Sequence, residues 1–358
     1  MIDLIPQSGL YPPATYRPLN VGTGMRAVAL HSPDKVALIE SGRSRTFASF
    51  VAHADRVAAL LQGLGLRFGE TCAILAANCL EYIEGVVGAA SAGIAVATLN
   101  PKLTAREIAA ICEACGARIL FVHPSLAEMV RDESFAAIEQ VFVFGSSYEA
   151  AIGRCGVPVL PVLQEWDAFS IPYTSGTTGK PKGVVLSHRS RLMAFFGMAS
   201  EYGCYGPSDN YLAIAPLCHG AGLCFAMASI YFGGTCEILP AFDPEIVVDR
   251  LGQGATGTFM VPTHFHAIFA LESHLVDKAR RHRLRSIVAN AAPLPQSTKE
   301  TIVDVWGPGI LHETYGSTEG GIVTNLRPEF QLSRLKCVGK PFACTQVRLL
   351  DEAGIEVG

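Results

Sequence analysis

A chain of 358 residues with 49% apolar and only 17% charged side chains has material for two or three structural units around a large core. Its formal charge of -4 excludes the basic footprint of a nucleic-acid partner. The eleven cysteines are scattered and odd in number; the one C-x-x-C pair, Cys112 and Cys115, falls in a helix-like run, so buried thiols in a reducing cytoplasm are expected rather than a metal or disulfide framework.

The opening MIDLIPQSGLYPP lacks the basic start and apolar run of a secretory signal. Thr46 can cap a helix through Leu64, with Phe50, Val51, Val57, Leu60 and Leu61 at helical spacing. Thr71–Ala76 reads as a short apolar strand, Leu80–Ala92 as helix, Ile94–Leu99 as strand, Thr104 to about Gly116 as helix and Arg118–Val122 as strand. Beyond a glycine-rich loop the pattern returns. Ser190–Tyr202, Gly222–Phe232, Asp243–Leu251 and Leu294–Trp306 are helix-like, while Tyr211–Ala215, Thr235–Leu239, Thr256–Val261 and Ile287–Ala291 are strand-like. Short apolar strands alternating with helices predict an α/β protein with two related, mostly parallel sheets and flanking helices in αβαβα layering. The expected division is about 1–170, with parts of later segments, and about 171–337. Val338–Val357 alternates around the turn residues Asp351–Gly354 and reads as an antiparallel hairpin, the beginning of a small β-barrel over 338–358. Asn210–Cys236 carries no charge, but Pro216, His219 and several glycines break it below the roughly 18 apolar residues of a membrane span. No stable membrane insertion is expected.

The loop itself, TSGTTGKPKG over Thr174–Gly183, lies between strand-like Phe169–Tyr173 and Val184–Leu186. It is not a Walker A loop. Thr174 stands five before Gly179, Pro181 follows Lys180 where a hydroxyl is needed, and a strand rather than a helix leaves. Gly176, Gly179 and Gly183 let backbone N–H groups approach an anion, Thr174, Ser175, Thr177 and Thr178 add donors, and Lys180 and Lys182 add charge. A solvated hairpin loop has the same residue types, but not this ten-residue string.

That string resembles the phosphate loop of the acyl-adenylate-forming, AMP-binding superfamily, which includes acyl- and aryl-CoA synthetases. Three further segments match in order: Pro216–Gly222 (PLCHGAG), Asn290–Pro293 (NAAP) and Tyr315–Gly320 (YGSTEG). The resemblance implies two half-reactions. A carboxylate attacks the α-phosphorus of ATP to give acyl-AMP and pyrophosphate, and a thiol, usually that of CoA, then displaces AMP. It implies that Thr174, Ser175, Gly176, Thr177, Thr178, Gly179, Lys180 and Lys182 hold the β- and γ-phosphates. Glu319 would bind Mg²⁺, with Thr178 a second candidate, and Thr318 would donate to the α-phosphate. Tyr315, followed by Gly316, would stack on adenine against Asn290, Ala291, Ala292 and Pro293; Glu313 and Thr314 would lie beside the adenine amino group. His219 would gate or orient substrate, against the plainer role of a satisfied core histidine. His264 and His266 are read as packing or pocket residues.

Within that resemblance, amino-acid-activating members carry an Asp in the segment matching Pro216–Phe225, and this chain has none. Acetate-activating members have a Trp before the Glu motif, where this chain has Glu313-Thr314-Tyr315-Gly316. With apolar Phe225, Met227, Phe259 and Ile322, a fatty or aryl acid is implied, with ATP and CoA as co-substrates. The family continues through a barrel, a hinge and a small C-terminal domain bearing a lysine for adenylation, none of which has a counterpart before Gly358. The expectation is an N-terminal domain only, which cannot run the whole reaction alone. An acyl-AMP ligase loading a carrier protein and a catalytically incomplete scaffolding module are the alternatives. A homodimer is compatible with the family, and nothing in the sequence identifies its interface.

Overall fold

The computed structural model describes residues 18–131, 135–174 and 181–357. Thr71–Leu75, Ala95–Leu99 and Ile119–Val122 are buried along their whole length. Strands with two buried faces are what a parallel sheet requires, and these pair in parallel, Thr71↔Ala95 through Leu75↔Leu99 and Ala73↔Leu120 through Leu75↔Val122. Their sheet runs in the order Gln140–Val143, Ile119–Val122, Thr71–Leu75, Ala95–Leu99, Ala168–Thr174, Lys182–Gly183, with Leu186–Ser187 also paired to Ala168–Thr174. The second sheet runs Lys340–Pro341, Gly321–Leu326, Leu311–Ser317, Ser286–Ala289, Gly257–Met260, Asn210–Ala213, Thr235–Ile238, Val36–Glu40, Arg43–Thr46. It is parallel from Leu311–Ser317 to Val36–Glu40 and antiparallel at both edges.

Alternation along each strand sends side chains to two different cores. Ile74 and Val96 face a central cluster shared with Leu38, Tyr211 and Cys236 of the other sheet, whereas Ala73, Leu75, Ala97 and Leu99 face a separate cluster with the helix Ala105–Ala114. A third cluster joins Leu212, Met260, Ile287 and Leu311 to the helices Pro244–Gln253, Pro262–Phe269 and Gln296–Trp306. Between the sheets lie Phe47–Gly63, Leu80–Ser91, His188–Tyr202 and Gly220–Tyr231. Every residue of Leu80–Ser91 is buried, including Glu81 and Glu84, which are ion-paired with Arg43 and Arg45. These are the five αβαβα layers predicted.

One expectation needs correction. Residue 170 falls inside Ala168–Thr174, so the first sheet extends to Ser187, while the early strands Val36–Glu40 and Arg43–Thr46 belong to the sheet built mostly from later ones. Lys340–Pro341 adds to the edge of the nine-stranded sheet. Phe342 anchors this segment against Gly197 and Tyr202 of the central layer. Farther on, the chain turns at Asp351–Gly354 as expected, with an antiparallel bridge Leu350↔Glu356, the Asp351 N–H donating to the Ile355 carbonyl and the Val357 N–H to the Leu349 carbonyl, both at 2.9 Å. Among the described residues no helix is long and apolar enough to cross a membrane. Cys112 is buried, its thiol pushed up to about 12 by that burial, in line with a packing role.

Candidate functional site

Open parallel sheets bind ligands beyond the carboxyl ends of their strands. Three segments singled out in the sequence leave such ends in the nine-stranded sheet. Pro216–Gly222 follows Asn210–Ala213, Asn290–Pro293 follows Ser286–Ala289, and Tyr315–Glu319 closes Leu311–Ser317. The other sheet contributes Ala168–Thr174, which runs into the glycine loop.

The segments meet at the N-terminus of Gly220–Tyr231. A Cβ on Gly220 would lie 3.6 Å from Cγ2 of Thr318 and 3.8 Å from Cγ of Pro172. A cavity of about 190 Å³ opens there, lined by Gly220, Arg191, Phe225, Asn290, Gly316 and Thr318 among others. Phe225 is backed by Phe259, their rings stacked at 4.7 Å and 20°.

Thr174 and Lys182 are paired at the base of the loop, and Thr174 Oγ1 donates to the Lys182 carbonyl at 3.5 Å. Lys182 is exposed. Ser175, Gly176, Thr177, Thr178, Gly179 and Lys180 lie outside the described residues.

Asn290 is a brace. Its Nδ2 donates to Thr314 Oγ1 at 2.7 Å, and its Oδ1 accepts from the Ala291 N–H. The turn that follows holds Ala291 at φ 78, a left-handed conformation that costs an L-residue on the order of 1–3 kcal/mol and tends to persist at ligand sites. Ala291, Ala292 and Pro293 are exposed, and Tyr315 is 57% exposed. Such an aromatic face, open beside small side chains, can receive a flat ring.

Glu313 was expected beside adenine by backbone or by side chain, and the structure narrows that choice. Its side chain is buried, ion-paired with buried Lys299, and accepts from the Leu294 N–H at 3.1 Å. The carboxylate therefore fixes the turn after Asn290 and is not free to meet a ligand, leaving only its backbone for that task. Gly316 is required by sterics, since a Cβ there would sit 2.0 Å from the Gly321 carbonyl oxygen. That contact lets the hairpin carrying Thr318 and Glu319 close tightly. Glu319 is exposed at its tip.

His219 caps Gly220–Tyr231 without a side-chain hydrogen bond. Local desolvation, then the positive charge of Lys102, hold its imidazole below the ordinary value, which favours the neutral ring. His264 stacks on Phe242 at 4.2 Å, a packing contact, while His266 is exposed and lies 3.4 Å from Thr298 Oγ1.

Three contributors were not anticipated. Buried Asn78 donates to the Ala215 and Leu239 carbonyls, both at 3.1 Å, and accepts from the Leu217 N–H at 2.8 Å. Thr98 donates to the Cys218 carbonyl at 3.0 Å. Together they tie the His219 segment to the other sheet. Arg191 is buried in the cavity wall. It stands at i, i+4, i+7 with buried Phe195 and Met198, and that spacing was the available signal.

A family model described as AMP-binding enzyme matches residues 25–358. The 2-succinylbenzoate–CoA ligase of Geobacillus kaustophilus is 27% identical over 329 residues, covering 90% of this chain and 64% of that protein. The 4-coumarate–CoA ligase 3 of Oryza sativa subsp. japonica is 30% identical over 304 residues, covering 79% of this chain and 53% of that protein. The chain thus spans less than two thirds of the length of these curated relatives. The solved N-terminal domain of FACL13 from Mycobacterium tuberculosis superposes with a TM-score of 0.86 at 24% identity, covering 94% of this chain and 86% of that one, a likeness of fold.

Proposed function

Because the chain belongs to the AMP-binding enzyme family, we propose that it takes part in AMP-forming acid–thiol ligation. In the first half-reaction a carboxylate oxygen attacks the α-phosphorus of ATP, the α–β phosphoanhydride bond breaks and pyrophosphate leaves. In the second a thiol attacks the acyl carbon and AMP leaves. Relatives named as CoA ligases support CoA as the thiol.

The observation that carries the reading is the meeting of Thr318, Gly220 and Asn290 around one cavity at the strand ends, with Pro172 beside Gly220. Neither step needs a covalent enzyme nucleophile, so this chain's task is to position groups and balance charge. Lys182, with Lys180 and the donors of the glycine loop, would hold the leaving phosphates. Thr318 would donate to the α-phosphate beside the acid. Tyr315 would cover one face of adenine while Ala291 and Ala292, braced by Asn290, leave room on the other. His219, neutral at pH 7, can accept a hydrogen bond at the cavity rim and orient an incoming group.

The donor set fits magnesium. Among the described residues no group of three His, Cys, Asp or Glu side chains forms a protein cage, and a single exposed carboxylate, Glu319, suits an ion that arrives on phosphate oxygens and retains waters. When bound, it would offset charge on the phosphates.

The test, in a version of the protein extended by the C-terminal domain that bears the adenylation lysine, is ATP–pyrophosphate exchange across a panel of fatty, aryl and dicarboxylic acids, followed by thioester formation with CoA. Acid-dependent exchange is the expected result. Absence of exchange with every acid, despite retained nucleotide binding, would favour the scaffolding alternative.

A further inference from the structure

The cavity contains a charge that its surroundings do not answer. Arg191 is only 6% exposed. Its sole side-chain hydrogen bond runs from Nη2 to Ser190 Oγ at 3.2 Å, and its Nε is buried with no hydrogen-bond partner among the described residues. Every other buried Asp, Glu, Lys or Arg among those residues has an ion-pair partner. Glu40 and Glu81 meet Arg43, Glu84 meets Arg45, Asp209 meets Arg285, and Lys299 meets Glu313. A buried cation without a counter-charge is among the costliest features a fold can retain. The cavity wall adds apolar Ala194, Cys224, Phe225 and Ile322 and the uncharged polar Asn290, Ser317 and Thr318, but no carboxylate.

Resting on the reading of this cavity as the acid pocket, we infer that the acid activated here carries a second anionic group, and that Arg191 receives it. The planar fork of a guanidinium matches a carboxylate with two parallel hydrogen bonds, which a monocarboxylic acid cannot supply once its own carboxylate is committed to phosphorus. Thr318 and Gly316 line the same cavity of about 190 Å³, so both ends of a short dicarboxylic acid, or of a single-ring one, fit within it. Phe225, backed by Phe259 and by Tyr202, forms a rigid aromatic part of the wall. The fatty or simple aryl acid expected from Phe225, Met227, Phe259 and Ile322 thus gives way to an acid with charge at both ends.

Calorimetric titration of the chain with two matched pairs, pentanoate against pentanedioate and benzoate against benzene-1,3-dicarboxylate, tests this directly. In at least one pair the dicarboxylic member should bind tighter by about tenfold or more. Arg191→Leu should abolish that preference while leaving the monocarboxylic member within about threefold, and Arg191→Lys should keep part of it. The melting temperature of Arg191→Leu should hold or rise, because an unanswered charge is removed; a fall of several degrees would mark Arg191 as a structural residue and overturn the inference. Equal binding within both pairs, loss of both members of a pair in Arg191→Leu, or no binding by either dicarboxylic acid would also overturn it. Loss of both members would mean that Arg191 holds the reacting carboxylate itself. ATP–pyrophosphate exchange separates the two readings. Exchange with monocarboxylic acids and no dicarboxylic preference sinks this inference alone, whereas Arg191-dependent dicarboxylate binding without exchange supports it and sinks the proposed activity.

Discussion

Two carboxylates six residues apart, Glu313 and Glu319, have opposite fates, and mutations should separate them. Glu313 is buried with Lys299, and removing one partner of a buried pair strands the other at a cost of about 3–5 kcal/mol. Lys299→Met should therefore lower stability in urea by about that amount, and Lys299→Met/Glu313→Leu should recover most of it. Glu319 is exposed, so Glu319→Gln should leave the unfolding midpoint unchanged while slowing ATP–pyrophosphate exchange by about a hundredfold. Equal loss of stability in both would refute the assignment. The sequence distinguished neither fate, because both residues sit in one motif-rich stretch and burial depends on a helix, Gln296–Trp306, that supplies Lys299. Asn78 was equally hidden: its three partners lie 137 to 161 residues away.

At the scale of elements, the hairpin of Leu311–Ser317 and Gly321–Leu326 carries the most exacting geometry. Register shifts between Tyr315 and Gly316, and the backbone of Gly321 presses on Gly316. A methyl group at 316 meets a carbonyl oxygen at 2.0 Å, which no side-chain rotation relieves. Gly316→Ala should displace Tyr315 and Thr318 and reduce exchange by about a hundredfold, with only a small fall in melting temperature because the hairpin end lies at the rim. Gly320→Ala, whose nearest new contact is Ser317 Oγ at 3.3 Å, should melt like the parent; matching losses in both variants would mean that the hairpin is not the cause. Elements of this kind were legible when their local pattern was strong. Apolar runs such as Thr71–Leu75 announced buried strands, and Thr46, Thr104 and Asp243 announced helix starts, each now seen accepting from a backbone N–H. Arg43–Thr46 escaped notice because an edge strand has one pairing side and tolerates charge, and Val36–Glu40, paired on both sides, because it is a run of only five residues that ends in a charged one. Arg43 and Arg45 are used to neutralise Glu81 and Glu84 on the buried helix beside them.

The whole molecule depends on pairings that local sequence does not encode, such as Leu38 beside Cys236, and the assignment of strands to sheets was illegible for that reason. The same enclosure sets its response to acid. Burial holds His188, His264 and His312 at about 4, against an ordinary value of 6.5. Between those limits the unfolded chain takes up protons that the folded one refuses, so stability falls as pH falls from 6.5 to 4. The slope is at most about 1.4 kcal/mol per pH unit for each such histidine. Glu84 works in the other direction: burial pushes it up to about 7, above its ordinary 4.5, even with Arg45 and His53 acting against the shift. Its contribution is fully present below 4.5 and is lost as pH rises through 7. Three histidines outweigh one glutamate, so the melting temperature should decline on acidification from pH 6.5 to 5. Glu84→Gln removes the opposing group and should steepen that decline, while His312→Asn should flatten it. Melting curves at half-unit pH intervals would decide the matter, and a flatter profile in Glu84→Gln than in the parent would show that Glu84 remains ionised beside Arg45 throughout the range.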